Sequence, residues 1–265
     1  MQKAKEIGFD AIEFSGLGVK GDLDLQINTA KQYREFSEEV NIPIINFATP
    51  GDMSEFVLGG NCIEDEIKRL QGMVDVAEAL GVDRMRHDIA WGVKNRFDLK
   101  TFWEEFPKYV YACREITKYA EQEGIKTMFE NHGHFVQQMD RVQALLEEVD
   151  HPNFGLLLDM GNFICADQNH FVAVKTLAKY AFHVHAKDFR LRAYDNPDEE
   201  GWTRTLGGNQ RWSCALGEGD IDPVKCMGII KEMGYSGNVS LEYEGREDKI
   251  EGIKKGYKVL KENWK

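Results

Sequence analysis

The sequence lacks paired cysteines and long hydrophobic runs. Its five cysteines are odd in number, widely spaced and free of any CxxC pair, which argues against a disulfide framework and against a zinc knot. Such cysteines are typical of free thiols in a reducing cytoplasm. No stretch approaches the roughly 18 consecutive apolar residues of a membrane span. The chain also opens without the charged and apolar regions of a secretory signal, so we expect a cytoplasmic protein with no membrane contact.

Positive charge is also scarce. Lysine and arginine number 33 against 45 aspartates and glutamates, which leaves a formal net charge of −12. A nucleic-acid-binding surface requires a basic stripe, so we expect no nucleic-acid partner. The acidity suits a carboxylate-rich site for a divalent cation, although most of these charges must lie on solvated helix surfaces.

What the sequence does contain is a regular alternation of short apolar strands and amphipathic helices, with 42% hydrophobic residues for a core. We predict strands near residues 10–15, 43–48, 83–89, 126–132, 154–160, 181–187 and 238–244. We predict helices at residues 2–7, 27–40, 62–80, 99–123, 139–149, 169–179, 222–233 and 247–263. This alternation, without any linker, indicates α/β architecture.

The strand count favours a (β/α)8 TIM barrel, folded as one domain over residues 1–265. Such barrels typically hold about 250 residues, and they close with eight strands. Because the chain begins on a helix and supplies seven strands, we expect a barrel lacking or truncated at its first β-strand. The active site of this fold lies at the carboxyl ends of the strands.

One connection departs from the alternation. Residues 189–220 follow the strand at 181–187 without periodicity, and they are rich in arginine, tryptophan and glycine. Connections of this length inside a compact domain are usually functional or disordered. We interpret this one as a long active-site loop, a lid or a substrate-binding segment, with a plain surface excursion as the alternative.

Four predicted strands end in a side chain that can bind a metal ion: Glu130, Asp159, His185 and Glu242. Three oxygen donors and one imidazole suit Mn²⁺ first, with Mg²⁺ or Co²⁺ as alternatives, better than Zn²⁺. Three carboxylates and a divalent ion leave one net negative charge, which favours a neutral polyol or keto sugar. Two open positions would hold a carbonyl and its neighbouring hydroxyl, and would stabilise an enediolate after proton loss.

Other polar residues near these strand ends are candidates for substrate contact. Lys187 contacts substrate or pairs with Asp188 or Glu242, and Glu244 holds a substrate hydroxyl or pairs with Arg246 or Arg190.

Two strands nearer the amino terminus add further candidates. His87 and Trp91 line the pocket, with Trp91 as a wall for stacking sugar rings. His183 lies one layer deeper than His185, as a supporting residue, and Glu13 forms a structural ion pair.

The motifs Glu-Asn-His-Gly, Leu-Asp-Met-Gly-Asn, His-Val-His-Ala-Lys-Asp and Gly-Tyr-Ser-Gly-Asn-Val-Ser-Leu-Glu-Tyr-Glu-Gly together resemble the xylose-isomerase-like TIM barrels. They are most similar to the sugar phosphate isomerase/epimerase group, which includes ketose 3-epimerases, hydroxypyruvate isomerases and inosose dehydratases. The resemblance covers the chain from about Ala4 onward. It implies the same four metal ligands, and it implies that Glu130 and Glu242 move protons on opposite faces of the substrate.

The sequence departs from this group at two places. Asn162 stands where many epimerases have a histidine three residues after the ligand aspartate. Lys187-Asp188 replaces an acid followed by a substrate-gripping arginine, a role that Arg190 could take. The resemblance therefore supports the four metal ligands better than it supports the substrate-binding residues.

The chain also resembles the metal-binding subunit of C-glycoside deglycosidases, which act on 3-oxo-glycosides together with a small β-rich partner subunit. That resemblance rests on the Glu-x-His step, the arginine- and tryptophan-rich loop and the segment Leu-Glu-Tyr-Glu-Gly-Arg-Glu-Asp. It implies that His132 is the base that starts elimination, while an orienting role for His132 is equally open.

We expect a metal-dependent sugar isomerase or epimerase acting on a keto sugar, with a 3-oxo-glycoside deglycosidase or lyase as the alternative. A metal-dependent DNA-repair endonuclease is disfavoured by the net acidity and by the lack of a His-rich trinuclear set. A homodimer or homotetramer is the expected assembly.

Overall fold

The computed structural model describes residues 1–19, 22–54, 62–91, 93 and 98–264. The chain divides into two compact units. The first comprises Met1–Val136 and Ala144–Gly155, and the second comprises Gln137–Gln143 and Leu156–Lys265. The prediction of one domain over residues 1–265 stays a prediction.

The first unit carries four parallel strands that lie side by side in chain order. They are β1 (Ile12–Ser15), β2 (Ile44–Thr49), β3 (Arg84–His87) and β4 (Lys126–Glu130). The α1 helix (Gln2–Ile7) precedes β1, and the helices between the strands include α2 (Leu23–Val40), α3 (Ile63–Leu80) and α4 (Leu99–Gln122). The β2 strand is almost wholly buried, as expected of a parallel strand covered on both faces.

The second unit carries three more parallel strands and a separate small sheet. The α5 helix (Met139–Val149) and β5 (Phe154–Asp159) begin in one unit and end in the other. The following elements are α6 (His170–Leu177), β6 (Ala181–Ala186), β7 (Asp188–Arg192), β8 (Thr203–Arg204), β9 (Gln210–Cys214), α7 (Pro223–Glu232), β10 (Val239–Leu241) and α8 (Lys249–Asn263). The strands β5, β6 and β10 are parallel neighbours, whereas β7, β9 and β8 form an antiparallel sheet.

Side-chain caps explain where several helices begin. The α2 helix starts at Leu23, four residues before the predicted start, because Asp22 accepts a hydrogen bond from the backbone N–H of Leu25. Asp222 caps α7 in the same way, and Pro223 occupies the first helical position as predicted. Gly8 ends α1 with a φ of 111°, a left-handed conformation that glycine adopts without strain.

The strand register brings the candidate residues of the second unit to one edge. Asp159 on β5 lies opposite His185 on β6, and His185 lies opposite Ser240 on β10. Glu242 follows two residues after Ser240, and its backbone N–H still donates to the carbonyl of Ala186. The leucines Leu156, Leu157 and Leu158 are fully buried, so β5 fixes Asp159 from within the core.

The seven predicted parallel strands are confirmed among the described residues. The last strand is shorter than predicted: β10 ends at Leu241, so Glu242 and Glu244 follow the strand rather than share one of its faces. In the same way β4 ends at Glu130, and His132 lies beyond it in an isolated bridge with Val136. The expectation of an irregular segment at 189–220 is wrong, because this segment contains the antiparallel sheet.

No helix in the part of the chain that the structure describes combines the length and the apolar character needed to cross a membrane. The five cysteines are all free thiols, as the spacing predicted.

Candidate active site

Two carboxylates and one imidazole cluster at the ends of the parallel strands in the second unit. Asp159, His185 and Glu242 each offer a ligand atom, and these atoms lie within 4.8 Å of one another. Asp159 and His185 are buried, while Glu242 is partly exposed. The Nδ1 atom of His185 donates a hydrogen bond of 3.1 Å to Oε2 of Glu242. This bond orients the ring and leaves the Nε2 lone pair as the ligating atom.

Asp159 is held by the backbone that follows it. Its Oδ1 atom accepts hydrogen bonds of 2.8 Å from the backbone N–H groups of Gly161 and Asn162. Gly161 allows a close approach, since a Cβ atom at this position would lie 2.7 Å from Cγ of Lys187. The turn therefore directs the other oxygen, Oδ2, toward the Lys187 ammonium, which lies 3.4 Å away.

Lys187 is a buried cation between three carboxylates. Only 3% of its side chain is exposed. Its Nζ atom lies 2.8 Å from Oε2 of Glu242 and 3.6 Å from Oε2 of Glu244, in addition to Asp159. Burial raises the pKa of Glu242, but the Lys187 charge and the His185 hydrogen bond outweigh it, so this pKa lies well below its ordinary value. Glu242 is therefore a carboxylate at neutral pH.

The structure shows the contacts of the residues that the sequence offered as partners of Lys187 and Glu244. Asp188 accepts backbone N–H bonds from Phe189, Gly217, Gly219 and Ile221. Glu244 faces Lys187, whereas Arg190 pairs with Glu218 and Arg246 lies over the ring of Trp212. Of the two alternatives left open for Glu244, the contacts of Arg190 and Arg246 do not support the ion pair with an arginine, and the substrate hydroxyl stays a prediction.

A second cluster lies in the first unit, around Glu130. Arg86 donates to Oδ1 of Asp88 at 3.0 Å and pairs with Oε2 of Glu130 at 2.7 Å. The Nδ1 atom of His132 lies 3.6 Å from Oδ1 of Asp88. Burial raises the pKa of Asp88, but His132 and Arg86 outweigh that effect and lower the pKa below its ordinary value. Asp88, Glu130 and His132 also bring ligand atoms within 4.8 Å of one another.

Trp91 and His87 lie beside this second cluster in different settings. Trp91 is 40% exposed and meets the His132 ring edge-on, with 4.3 Å between the ring centroids. Its backbone N–H donates to Oδ2 of Asp52, which holds the Trp91 backbone in place. His87 is fully buried, and burial lowers its pKa. His87 supports the strand end, while Trp91 presents an open aromatic face.

Three further candidates from the sequence, His183, Glu13 and Arg190, lie outside the two clusters described above. His183 is fully buried and hydrogen-bonds Oγ of Ser240 through Nε2, and its supporting role stays a prediction. Glu13 accepts a hydrogen bond from the amide of Asn46. Arg190 lies on β7 with 52% of its side chain exposed and pairs with Glu218, so its contacts are those of a surface arginine.

Sequence patterns did not single out Arg86 as a partner of Glu130. Arg86 and Glu130 belong to neighbouring strands, and 43 residues separate them in the chain. The available signal was the alternation in Met85-Arg86-His87-Asp88, which places two charged residues two positions apart on a short strand.

The donor atoms of the second unit fit a divalent cation. Two carboxylates and an imidazole form a mixed oxygen and nitrogen set of the kind used for Mn²⁺, Mg²⁺ and related ions. The ordered Asp159 turn and the His185 hydrogen bond supply the outer contacts that metal ligands usually have.

A family model described as xylose isomerase-like TIM barrel matches residues 1–263. The chain belongs to this family. The fold class predicted from the sequence is thereby confirmed, with seven parallel strands among the described residues.

Two individual proteins that are similar to this chain share 26% or less of its residues over the matched regions. An inosose dehydratase from Clostridium beijerinckii is 26% identical over 142 residues, which is 53% of this chain and 48% of that protein. This match spans about half the length of the curated relative. An L-ribulose 3-epimerase structure superposes with a TM-score of 0.75 at 14% identity and covers 99% of this chain and 86% of its own.

A further solved structure of the same fold contains a metal. The IOLI protein with a zinc atom superposes with a TM-score of 0.74 at 20% identity, covering 98% of this chain and 90% of its own. At these identities the structural similarity shows the fold. This chain also contains groups of side chains that could bind a metal ion. The identity of that ion stays a prediction.

Proposed function

We propose that this protein is a divalent-metal-dependent isomerase or epimerase of a keto sugar. The observation that carries the proposal is the convergence of Asp159, His185 and Glu242 at adjacent strand ends, beside the buried Lys187. Membership of the xylose isomerase-like family supports the reaction class, because similar proteins include a ribulose epimerase and an inosose dehydratase.

We assign the metal to Asp159, His185 and Glu242, with Glu130 as the fourth ligand. The assignment of Glu130 is supported by its place at the carboxyl end of β4 and by the family resemblance of its motif. Three oxygens and one nitrogen favour Mn²⁺, with Mg²⁺ and Co²⁺ as alternatives. When bound, such an ion polarises a carbonyl and makes the neighbouring C–H acidic.

Glu242 is the residue we assign to proton removal. Its pKa is held low by Lys187 and His185, so it is ionised and able to accept a proton at neutral pH. In the epimerase hypothesis Glu130 returns a proton to the opposite face of the enediolate. The Arg86 guanidinium, 2.7 Å from Oε2 of Glu130, orients this side chain.

Lys187, Glu244 and Trp91 would hold the substrate. The Lys187 ammonium lies among the carboxylates and can donate to a substrate oxygen that carries developing negative charge. Glu244 is the most exposed of the three carboxylates around Lys187 and can accept from a sugar hydroxyl. Trp91 offers an open ring face for stacking, and His87 anchors its strand.

The alternative function is elimination from a 3-oxo-glycoside, and one observation favours it. The Nδ1 atom of His132 lies 3.6 Å from the Asp88 carboxylate, the arrangement of a histidine base with an orienting acid. In this hypothesis His132 removes the proton next to the carbonyl and the aglycone leaves. A small β-rich partner subunit would then be expected, whereas the isomerase hypothesis requires only a homodimer or homotetramer in the cytoplasm.

Deuterium incorporation tests both functions. The full-length chain loaded with Mn²⁺ is incubated in D2O with D-fructose, L-ribulose and a 3-oxo-glucoside, and products are followed by NMR. Deuterium on the carbon next to the carbonyl supports proton abstraction, and release of the aglycone identifies elimination. Absence of exchange on every keto sugar would contradict the proposal.

Two variants sharpen this experiment. Glu242→Gln removes the assigned base, and we expect exchange to fall by about 10²–10⁴-fold. Glu251→Gln is the matched control, because Glu251 lies exposed on α8 and pairs with Lys254 away from the cluster. Equal exchange by Glu242→Gln and wild type would remove Glu242 from this role.

A further inference from the structure

Arg211 has no acidic partner among the residues that the structure describes. Arg211 lies on β9, opposite Leu191 on β7. Its Nε atom is shielded from solvent and makes no hydrogen bond to any residue that the structure describes. Within the same described ranges, no carboxylate oxygen lies at ion-pair distance from Arg211. A shielded donor without an acceptor is costly, so its retention requires an explanation.

The other arginines of this small sheet are all paired. Arg190 lies near Glu218, Arg192 pairs with Glu199 at 2.8 Å, and Arg204 pairs with Asp198. The chain carries 45 acidic residues and a net charge of −12, so carboxylates are abundant on its surface. The structure nevertheless directs Arg211 to an aromatic ring instead of an acid.

That aromatic ring belongs to Phe189, and it links Arg211 to the candidate active site. The Arg211 guanidinium carbon lies 4.6 Å from the centroid of the Phe189 ring. Phe189 is almost completely buried, and its Cε2 atom would lie 3.3 Å from a Cβ placed on Gly161. Lys187 Cγ lies 2.7 Å from the same position. One phenyl ring therefore separates Arg211 from the turn that holds Asp159.

The buried thiol of Cys165 is affected by both Arg211 and Lys187. Burial raises the pKa of Cys165, and the charges of Arg211 and Lys187 both act against that rise. Both cations therefore lie close enough to this thiol to act on it.

We propose that Arg211 binds an anionic group of the substrate, a carboxylate or a phosphate. A guanidinium presents parallel N–H donors that match either group, and the Phe189 ring fixes its plane. This proposal rests on the proposed function, and it names the substrate class as an acidic keto sugar: a keto acid or a sugar phosphate.

Counting Arg211 lowers the negative charge of the local site. The three carboxylates around Lys187, together with Lys187 and Arg211, leave one net negative charge. Glu130, assigned above as the fourth ligand, and a divalent ion bring the sum to zero, whereas without Arg211 it would be one net negative charge.

Matched ligands test the proposal by binding. Isothermal titration of the Mn²⁺-loaded full-length chain would compare D-fructose, D-fructose 6-phosphate and 5-keto-D-gluconate. We expect at least one acidic ligand to bind about tenfold or more tightly than D-fructose, and we expect Arg211→Met to abolish that preference. A preference for the phosphate or for the carboxylate distinguishes the two sources of negative charge.

Two further variants provide controls. Arg211→Lys keeps the charge but loses the planar fork, and it should retain only part of the preference. Arg204→Met removes a paired arginine from the neighbouring strand and should leave the preference intact. Unfolding of each variant is followed by circular dichroism, so that loss of fold is separated from loss of binding.

Inorganic phosphate supplies a readout that needs no turnover. Phosphate should raise the Tm of the metal-free wild type and of Arg204→Met, and it should leave Arg211→Met unchanged. If Arg211→Met binds phosphate and the acidic ligands as wild type does, the proposal is wrong. Failure of deuterium exchange would instead contradict the isomerase function and would leave this binding result intact.

Discussion

The ammonium of Lys187 lies 2.8 Å from Oε2 of Glu242 inside a site where almost none of the lysine is exposed. This ion pair keeps Glu242 deprotonated, and it places a fixed positive charge beside the proposed metal ligands. Whatever cation binds Asp159 and Glu242 must share these oxygens with the ammonium. The consequence can be measured by removing the lysine.

Replacement of Lys187 by methionine should strengthen metal binding and weaken the metal-free protein. We expect Mn²⁺ affinity to rise by about tenfold, because a repelling charge is lost. The free energy of unfolding without metal should fall by about 3–5 kcal/mol, since the buried Asp159 and the partly exposed Glu242 lose their counter-charge. Isothermal titration and urea unfolding measure the two effects. Weaker Mn²⁺ binding by Lys187→Met would contradict the shared use of these oxygens.

Addition of Mn²⁺ should raise the Tm of wild type, and EDTA should reverse the change. At an ion concentration of about 100 times Kd, binding stabilises the folded state by about 2.7 kcal/mol. Asp159→Asn and His185→Asn should reduce or abolish this shift, while Glu251→Gln should retain it. An unchanged shift in Asp159→Asn would exclude Asp159 as a ligand.

A methyl group at Gly161 should displace the neighbouring Lys187 and so disturb the candidate site. A Cβ atom there would lie 2.7 Å from Lys187 Cγ and 3.3 Å from the Lys187 carbonyl oxygen. We expect Gly161→Ala to lower the free energy of unfolding by about 1–3 kcal/mol and to reduce deuterium exchange.

Gly228 offers a matched control for this substitution. It lies within α7, and no heavy atom lies within 4 Å of a Cβ placed there. Gly228→Ala should raise the free energy of unfolding by about 0.5–1 kcal/mol. Equal effects of the two substitutions, measured by urea unfolding, would show that the close approach at Gly161 has no energetic weight.

Buried histidines should make the fold sensitive to mild acid. Burial lowers the pKa of His87 below its ordinary value of 6.5, so the unfolded chain takes up a proton at a higher pH than the folded chain does. Stability that is complete above pH 6.5 is therefore lost as the pH falls toward the folded pKa. His87→Gln cannot be protonated, and its free energy of unfolding should fall less between pH 7 and pH 5. If the free energy of unfolding fell equally with pH in the variant and in wild type, His87 would not be the source of the acid sensitivity.

Much of the candidate site could be predicted because its residues end short apolar strands. Asp159 ends a run of leucines, and His185 alternates with buried residues on its strand. Both patterns have a period of two that places the polar residue at the carboxyl edge of a parallel sheet. The proximity of Asp159, His185 and Glu242 within 4.8 Å follows from strand order and register.

The remaining contacts depend on distances that sequence spacing does not encode. The sequence left both Asp188 and Glu242 open as partners of Lys187, and the structure pairs the lysine with Glu242, 55 residues away. Arg86 pairs across two strands with Glu130. The sheet within 189–220 was missed because β8 has two residues, too few to show alternation.

Two aspartates fasten the segment that contains this small sheet. Asp188 accepts four backbone N–H bonds from the segment and the turn after it, and Asp167 accepts from Thr205, Gly207 and Asn209. Tyr194 is 70% exposed between these two attachments. A protease cut beside Tyr194 would therefore leave both new chain ends attached, and the nicked protein would separate into fragments only in denaturant.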